Sequence, residues 1–62
     1  MTLSDKISHL AKLIEARYRT TNNPHPELAA KFQMELVMKT IKGQEQYAEQ
    51  LIDEEIAAET KH

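Results

Sequence analysis

The sequence predicts an all-α protein folded as an antiparallel helical hairpin. Apolar residues recur at spacings of three and four, which is the periodicity of a helix rather than the alternation of a strand. One segment at about 20–25, rich in threonine, asparagine and proline, interrupts this periodicity and predicts a loop. We therefore expect a single helical domain over residues 1–62, with a short helix at about 4–19 and a long helix at about 26–59.

The first helix has a clear start signal and one apolar side. Thr2 followed by Asp5 resembles a capping box, in which each side chain bonds the backbone N–H of the other residue, and Ser4 is a second candidate N-cap. The apolar residues that follow form one stripe: Leu3, Ile7, Leu10, Ala11, Ile14 and Tyr18. A helix of this pattern needs cover on one side only.

The loop ends in signals for a second helix. Residues before proline are pushed toward extended backbone conformations, so Pro24 and Pro26 keep the helix from continuing through the loop. Proline also suits the first position of a helix, where its missing N–H costs nothing. Glu27 would then lie in the first turn, where its charge complements the helix dipole.

The second helix is apolar on two sides along Leu28–Ile41. On a helical wheel, Ala29, Phe32 and Leu36 share one side, and Met34, Val37, Met38 and Ile41 share the other. A helix with two apolar sides needs two partners. We expect the side with Phe32 and Leu36 to receive the first helix, which leaves the second side for another element.

Gly43 decides what covers that second side. No residue suited to an N-cap follows Gly43, and the helical phase persists beyond it, which favours a continuous helix. A continuous helix of roughly 50 Å would extend far beyond a first helix of roughly 25 Å. The overhanging stripe then predicts a homodimeric four-helix bundle. Its predicted dimer interface consists of Met34, Met38, Ile41, Ala48, Ile52 and Ile56.

The alternative is a break at Gly43. Lys39 and Lys42 suit a helix C-terminus, and Gly43 would supply a cap in the left-handed conformation. The last segment would then fold back to form a monomeric three-helix bundle.

Length and composition favour association. At 62 residues without cysteine, the chain has a small core and no disulfide to reinforce it, so pairing with a second copy is the expected source of stability. The first residues lack the basic segment and apolar run of a signal peptide, and no apolar stretch is long enough to span a membrane. We expect a cytoplasmic protein.

Charge is divided along the chain, which points to two surfaces. Residues 1–42 carry seven bases and four acids, for a charge of +3, whereas residues 43–62 carry one base and six acids, for −5. The bases predict a nucleic-acid contact at Lys12, Arg17 and Arg19. The acids predict a surface for a basic partner at Glu45, Glu49 and Asp53.

These patterns indicate a binding protein rather than an enzyme. No catalytic, metal-binding or cofactor-binding motif is present in the sequence, so we expect neither catalysis nor a cofactor. We expect a small helical protein–protein interaction module, acting as a homodimer that binds a further protein, in a regulatory or accessory protein of bacterial or phage origin. The alternative is a nucleic-acid-binding regulator that uses the basic face of the first helix and the loop.

Overall fold

Three α-helices make up most of the chain in a computed structural model, which describes residues 2–61. Helix α1 spans Leu3–Thr20, α2 spans Pro26–Lys42 and α3 spans Ala48–Thr60. A short 3-10 turn, Glu45–Tyr47, precedes α3. The described residues contain no strand, so the all-α prediction is confirmed.

The predicted capping box starts α1. The Asp5 backbone N–H donates to Thr2 Oγ1 over 3.1 Å, and the Thr2 N–H donates to Asp5 Oδ2 over 3.4 Å. Two of the N–H groups that a helix start leaves without helical partners are thereby satisfied. The helix consequently begins within one residue of its predicted start.

Helix α1 ends at an asparagine in the left-handed conformation. Asn22 has a φ of 61°, which asparagine tolerates better than most side chains. Its N–H donates to the Arg19 carbonyl over 3.2 Å, and the Asn23 N–H donates to the Tyr18 carbonyl over 3.1 Å. This pair of bonds is the Schellman motif, which turns the chain toward Pro26 and α2.

Helix α1 is the centre of the fold. It packs against both α2 and α3 along its length, whereas α2 and α3 touch each other much less. Seven buried apolar side chains from all three helices form the core: Leu10, Ile14, Ala30, Val37, Ile41, Ala48 and Ile52. The apolar stripe of α1 that includes Leu10 and Ile14 therefore packs against both of the other helices.

The chain turns after α2, so the predicted continuous helix over 26–59 is wrong. Helix α2 ends at Lys42, and the Gln44 N–H bonds the Ile41 carbonyl over 2.8 Å. Gly43 has φ −91° and ψ 0°, so it does not adopt the left-handed cap that the alternative prediction gave it. The three-helix arrangement of that alternative is the one observed.

The turn has a tertiary cause. Ala48 and Ile52 lie four residues apart on α3, and both are buried in the core that includes Leu10 and Ile14 of α1. In a continuous helix these side chains would lie beyond the reach of α1 and would stay in water. Burying a large aliphatic side chain is worth about 1.5–3 kcal/mol, whereas each lost helical hydrogen bond costs only about 0.5–1.5 kcal/mol net.

Helix α2 turns a different side to α1 than we predicted. Ala30, Val37 and Ile41 face the core, while Phe32 and Leu36 are exposed to solvent. The prediction that Phe32 and Leu36 receive the first helix is therefore wrong. The apolar pattern of α2 has two sides, and only the packing with α1 and α3 selects between them.

Candidate functional site

The predicted dimer interface divides into core and surface. Its buried members belong to the core of the single chain, so they are not available on the surface for a second copy: Ile41, Ala48 and Ile52. Met34 and Ile56 are half-buried against this core, and Met38 is exposed. Because the break after Lys42 folds α3 onto α1, the stripe we assigned to a partner is covered largely by the chain itself.

A different set of apolar residues lies on the surface. Leu28, Phe32 and Leu36 are exposed to 46%, 63% and 61% of their full area. They lie four residues apart and form a line of roughly 12 Å along the outer side of α2, which we call the α2 stripe. One signal of this exposure was present in the sequence. Lys39 lies on the same side of the helical wheel as Leu28 and Phe32, and lysine side chains are mostly exposed to solvent.

An open groove runs between α1 and α2, on another side of α2 from this stripe. We call it the α1–α2 groove, and its volume is about 710 Å³. Its apolar residues are Ala11, Ala30, Met34 and Met38. The charged residues along its edges are Lys12, Glu15, Glu27, Lys31, Glu35, Lys39 and Lys42. Sequence reasoning found Met34 and Met38 but did not find the groove, because the two alanines that form it come from different helices.

The acidic residues of α3 find a base within the same chain. Lys6 Nζ lies 2.8 Å from Glu49 Oε1 and 3.1 Å from Asp53 Oδ1. The hydrogen bonds to Glu49 and then to Asp53 raise the pKa of Lys6, because both stabilise its charged form. Two members of the predicted acidic surface thus contact α1, while the third, Glu45, is exposed in the 3-10 turn.

The predicted nucleic-acid contacts are divided between two sides of α1. Arg17 Nε lies 2.9 Å from Glu59 Oε2 of α3, although its N–H does not point at the carboxylate, so both buried atoms lack a hydrogen bond. Arg19 Nη2 bonds Glu15 Oε1 over 3.1 Å. Lys12 is exposed and lies at the α1–α2 groove. Arg17 and Arg19 are therefore engaged with carboxylates, and the three bases do not form one patch.

Comparison with other proteins gives no relative. No family model matches this chain, and neither a curated protein nor a solved structure matches it significantly. None of the helices in residues 2–61 has the length and apolar character needed to cross a membrane. Within those same residues, no three histidine, cysteine or acidic side chains come together as metal ligands would. The α2 stripe and the α1–α2 groove are the candidate sites that the fold presents.

Proposed function

We propose that this chain is a non-enzymatic protein–protein interaction module that acts as a homodimer through the α2 stripe. The observation that carries the proposal is the exposure of Phe32, Leu36 and Leu28, the three large apolar side chains of that stripe. A contiguous apolar patch on so small a chain marks an interaction surface more often than it marks a free surface.

A second copy fits the stripe because the stripe is self-complementary. When two α2 helices pair antiparallel about Phe32, Leu28 of each copy lies opposite Leu36 of the other, and the two phenylalanine rings meet at the centre. A two-fold dimer requires such an arrangement, because the same surface of both copies must meet and each contact must occur twice. With the two helix axes 8–10 Å apart, the three apolar side chains of one copy would contact those of the other.

The charges beside the stripe are compatible with the same pairing. Lys31 and Glu35 lie on one flank of the stripe on the helical wheel. In the antiparallel pair, Lys31 of one copy is offset by only about 3 Å along the axis from Glu35 of the other. Two symmetric ion pairs would then border the apolar contact on one flank. Lys31 of one copy is offset by the same distance, about 3 Å, from Lys31 of the other, so the choice of the antiparallel arrangement rests on the apolar stripe.

The size of the stripe limits the affinity. A standard interface buries about 800 Å² on each partner, which is roughly one sixth of the 4612 Å² surface of this chain. The stripe extends over roughly 12 Å, so it supplies the centre of such an interface and the neighbouring side chains supply the rest. We therefore expect a dissociation constant of about 1–100 µM rather than a nanomolar one.

Sedimentation velocity over about 0.5–500 µM tests the proposal, since this range brackets the expected dissociation constant. Wild-type protein should shift from monomer to dimer as its concentration rises. Phe32→Asp should remain monomeric, because it places a charge at the centre of the contact. Met38→Asp is the matched control: it makes the same kind of change at another exposed apolar residue of α2 and should still dimerise.

Two outcomes would refute the proposal. One is a 7.2 kDa particle for wild-type protein at every concentration. The other is dimerisation of Phe32→Asp at the concentration at which the wild-type protein dimerises.

Nucleic-acid binding, the second function expected from the sequence, gains no support from the structure, because Arg17 and Arg19 pair with Glu59 and Glu15.

A further inference from the structure

The α1–α2 groove is a second apolar surface, whose apolar residues are distinct from those of the α2 stripe, while Lys31 and Glu35 border both surfaces. Ala11 and Ala30 face it from adjacent helices, and their small side chains leave a valley between the two helix axes. Met34 and Met38 border this valley with flexible apolar side chains, which adapt to the shape of a bound surface. Apolar grooves of this kind bind amphipathic helices in many complexes.

None of the described helices covers this groove. Helix α3 packs on another side of α1, where Lys6 and Arg17 form ion pairs with its carboxylates. Helix α2 occupies the position beside α1, and it contacts α3 little. Helix α1 therefore has α2 and α3 as neighbours. The α1–α2 groove remains open, as the place of a further helix would be in a helix bundle.

The length of the groove sets the length of its ligand. Glu27 and Lys42, at its two ends on α2, are fifteen positions apart, which corresponds to roughly 22 Å of helix. A partner helix lying along this groove would contribute about four turns, or about 15 residues.

Charge along the groove sets the direction of that helix. Glu27 lies at the end near the loop, in the first turn of α2, and Glu15 at the same end is already bonded to Arg19. Lys39 and Lys42 lie in the last turn, at the opposite end. Helices commonly carry acids in their first turn and bases in their last. A partner helix of this kind matches both ends only when it runs antiparallel to α2.

We infer that the α1–α2 groove binds an amphipathic helix of another protein, with an apolar side, an acidic first turn and a basic last turn, running antiparallel to α2. This inference goes beyond the proposed function, because it uses neither the α2 stripe nor a second copy of the chain. It gives the module one surface for itself and another for its target.

Two synthetic peptides of about 16 residues provide the test. Both have the same composition and the same leucine stripe, but one has acids in its first turn and bases in its last, and the other has the reverse. Fluorescence anisotropy with labelled peptides and full-length protein should show the acidic-first peptide binding at least about fivefold more tightly. This preference should shrink as salt is raised, because salt screens exposed charges.

Two variants separate this inference from the proposed function. Met38→Asp should weaken binding of the acidic-first peptide at least about tenfold and leave dimerisation intact. Phe32→Asp should abolish dimerisation and leave peptide binding intact. Both residues are exposed, so both variants should keep the wild-type circular dichroism spectrum.

Several results would overturn the inference. Equal affinity for the two peptides would refute the role of charge in setting the direction of the helix. Binding of neither peptide at about 500 µM would refute the assignment of the groove as a helix-binding site. Peptide binding that is unchanged in Met38→Asp would place the peptide elsewhere. Loss of dimerisation in Met38→Asp, but not in Phe32→Asp, would show that the groove holds a second copy instead.

Discussion

Replacement of Ile52 by alanine tests the three-helix fold directly. Ile52 is 0% exposed in the core shared by α1, α2 and α3. Truncation of a fully buried isoleucine costs about 2–5 kcal/mol, from lost apolar burial and the cavity that remains. A domain of this length has a total unfolding free energy of only about 3–9 kcal/mol. We therefore expect Ile52→Ala to lose a large part of the stability of the fold.

Urea unfolding followed by circular dichroism at 222 nm measures this loss. A chain this small has a denaturant dependence of about 1 kcal/mol/M, so the midpoint should fall by about 2 M or more. Leu36→Ala removes a side chain of equal size from an exposed position and should cost less than about 0.5 kcal/mol. Both variants are compared at about 0.2 µM, below the expected dissociation constants, so that association through the α2 stripe contributes little.

The same experiment distinguishes the two folds that the sequence allowed. In a continuous second helix, Ile52 would lie between two copies, and a hundredfold dilution would lower the apparent stability of an obligate dimer by about 2.7 kcal/mol. In the three-helix fold, Ile52 is buried within one chain, so Ile52→Ala keeps its full cost at concentrations where the protein is monomeric. A cost below about 0.5 kcal/mol at low concentration, or one that appears only at high concentration, would refute the packing described above.

The remaining predictions concern the turn and the ion pairs. Gly43→Ala should raise the unfolding free energy by about 0.4–1 kcal/mol, because Gly43 has a negative φ and an added methyl group meets no atom within 4 Å; a loss of stability in urea unfolding would contradict this. Lys6→Met should lower the urea midpoint at neutral pH, where Lys6 is charged and bonded to Glu49 and Asp53. The folded pKa of Lys6 is raised, so its stabilising contribution is complete below the unfolded pKa of about 10.4 and is lost as pH rises through the folded pKa. The difference in midpoint between wild type and Lys6→Met should therefore shrink above about pH 10.4; a difference that stays constant there would show that the lost packing of the lysine stem, rather than its charge, causes the effect.

Local signals were sufficient to locate the first helix and the loop. Thr2 and Asp5 cap α1 through bonds between residues three apart, and the asparagine and proline residues of the loop act on their immediate neighbours. The periodicity of Ala48, Ile52 and Ile56 also correctly marked an apolar side on the last segment. These features depend on contacts between residues a few positions apart, so they can be predicted from the sequence alone.

The turn at Gly43 and the choice of the buried side of α2 depended on the tertiary structure. Both a continuous and a broken helix keep the helical phase of Ala48 and Ile52, so periodicity does not distinguish a second copy from α1 as their partner. Likewise, Val37 and Phe32 lie on two sides of α2 that are both apolar in sequence, yet only Val37 is buried. The physical reason is the same in both cases: a helical stripe specifies that a side needs cover, but the gain from packing three helices around α1 decides which element provides it.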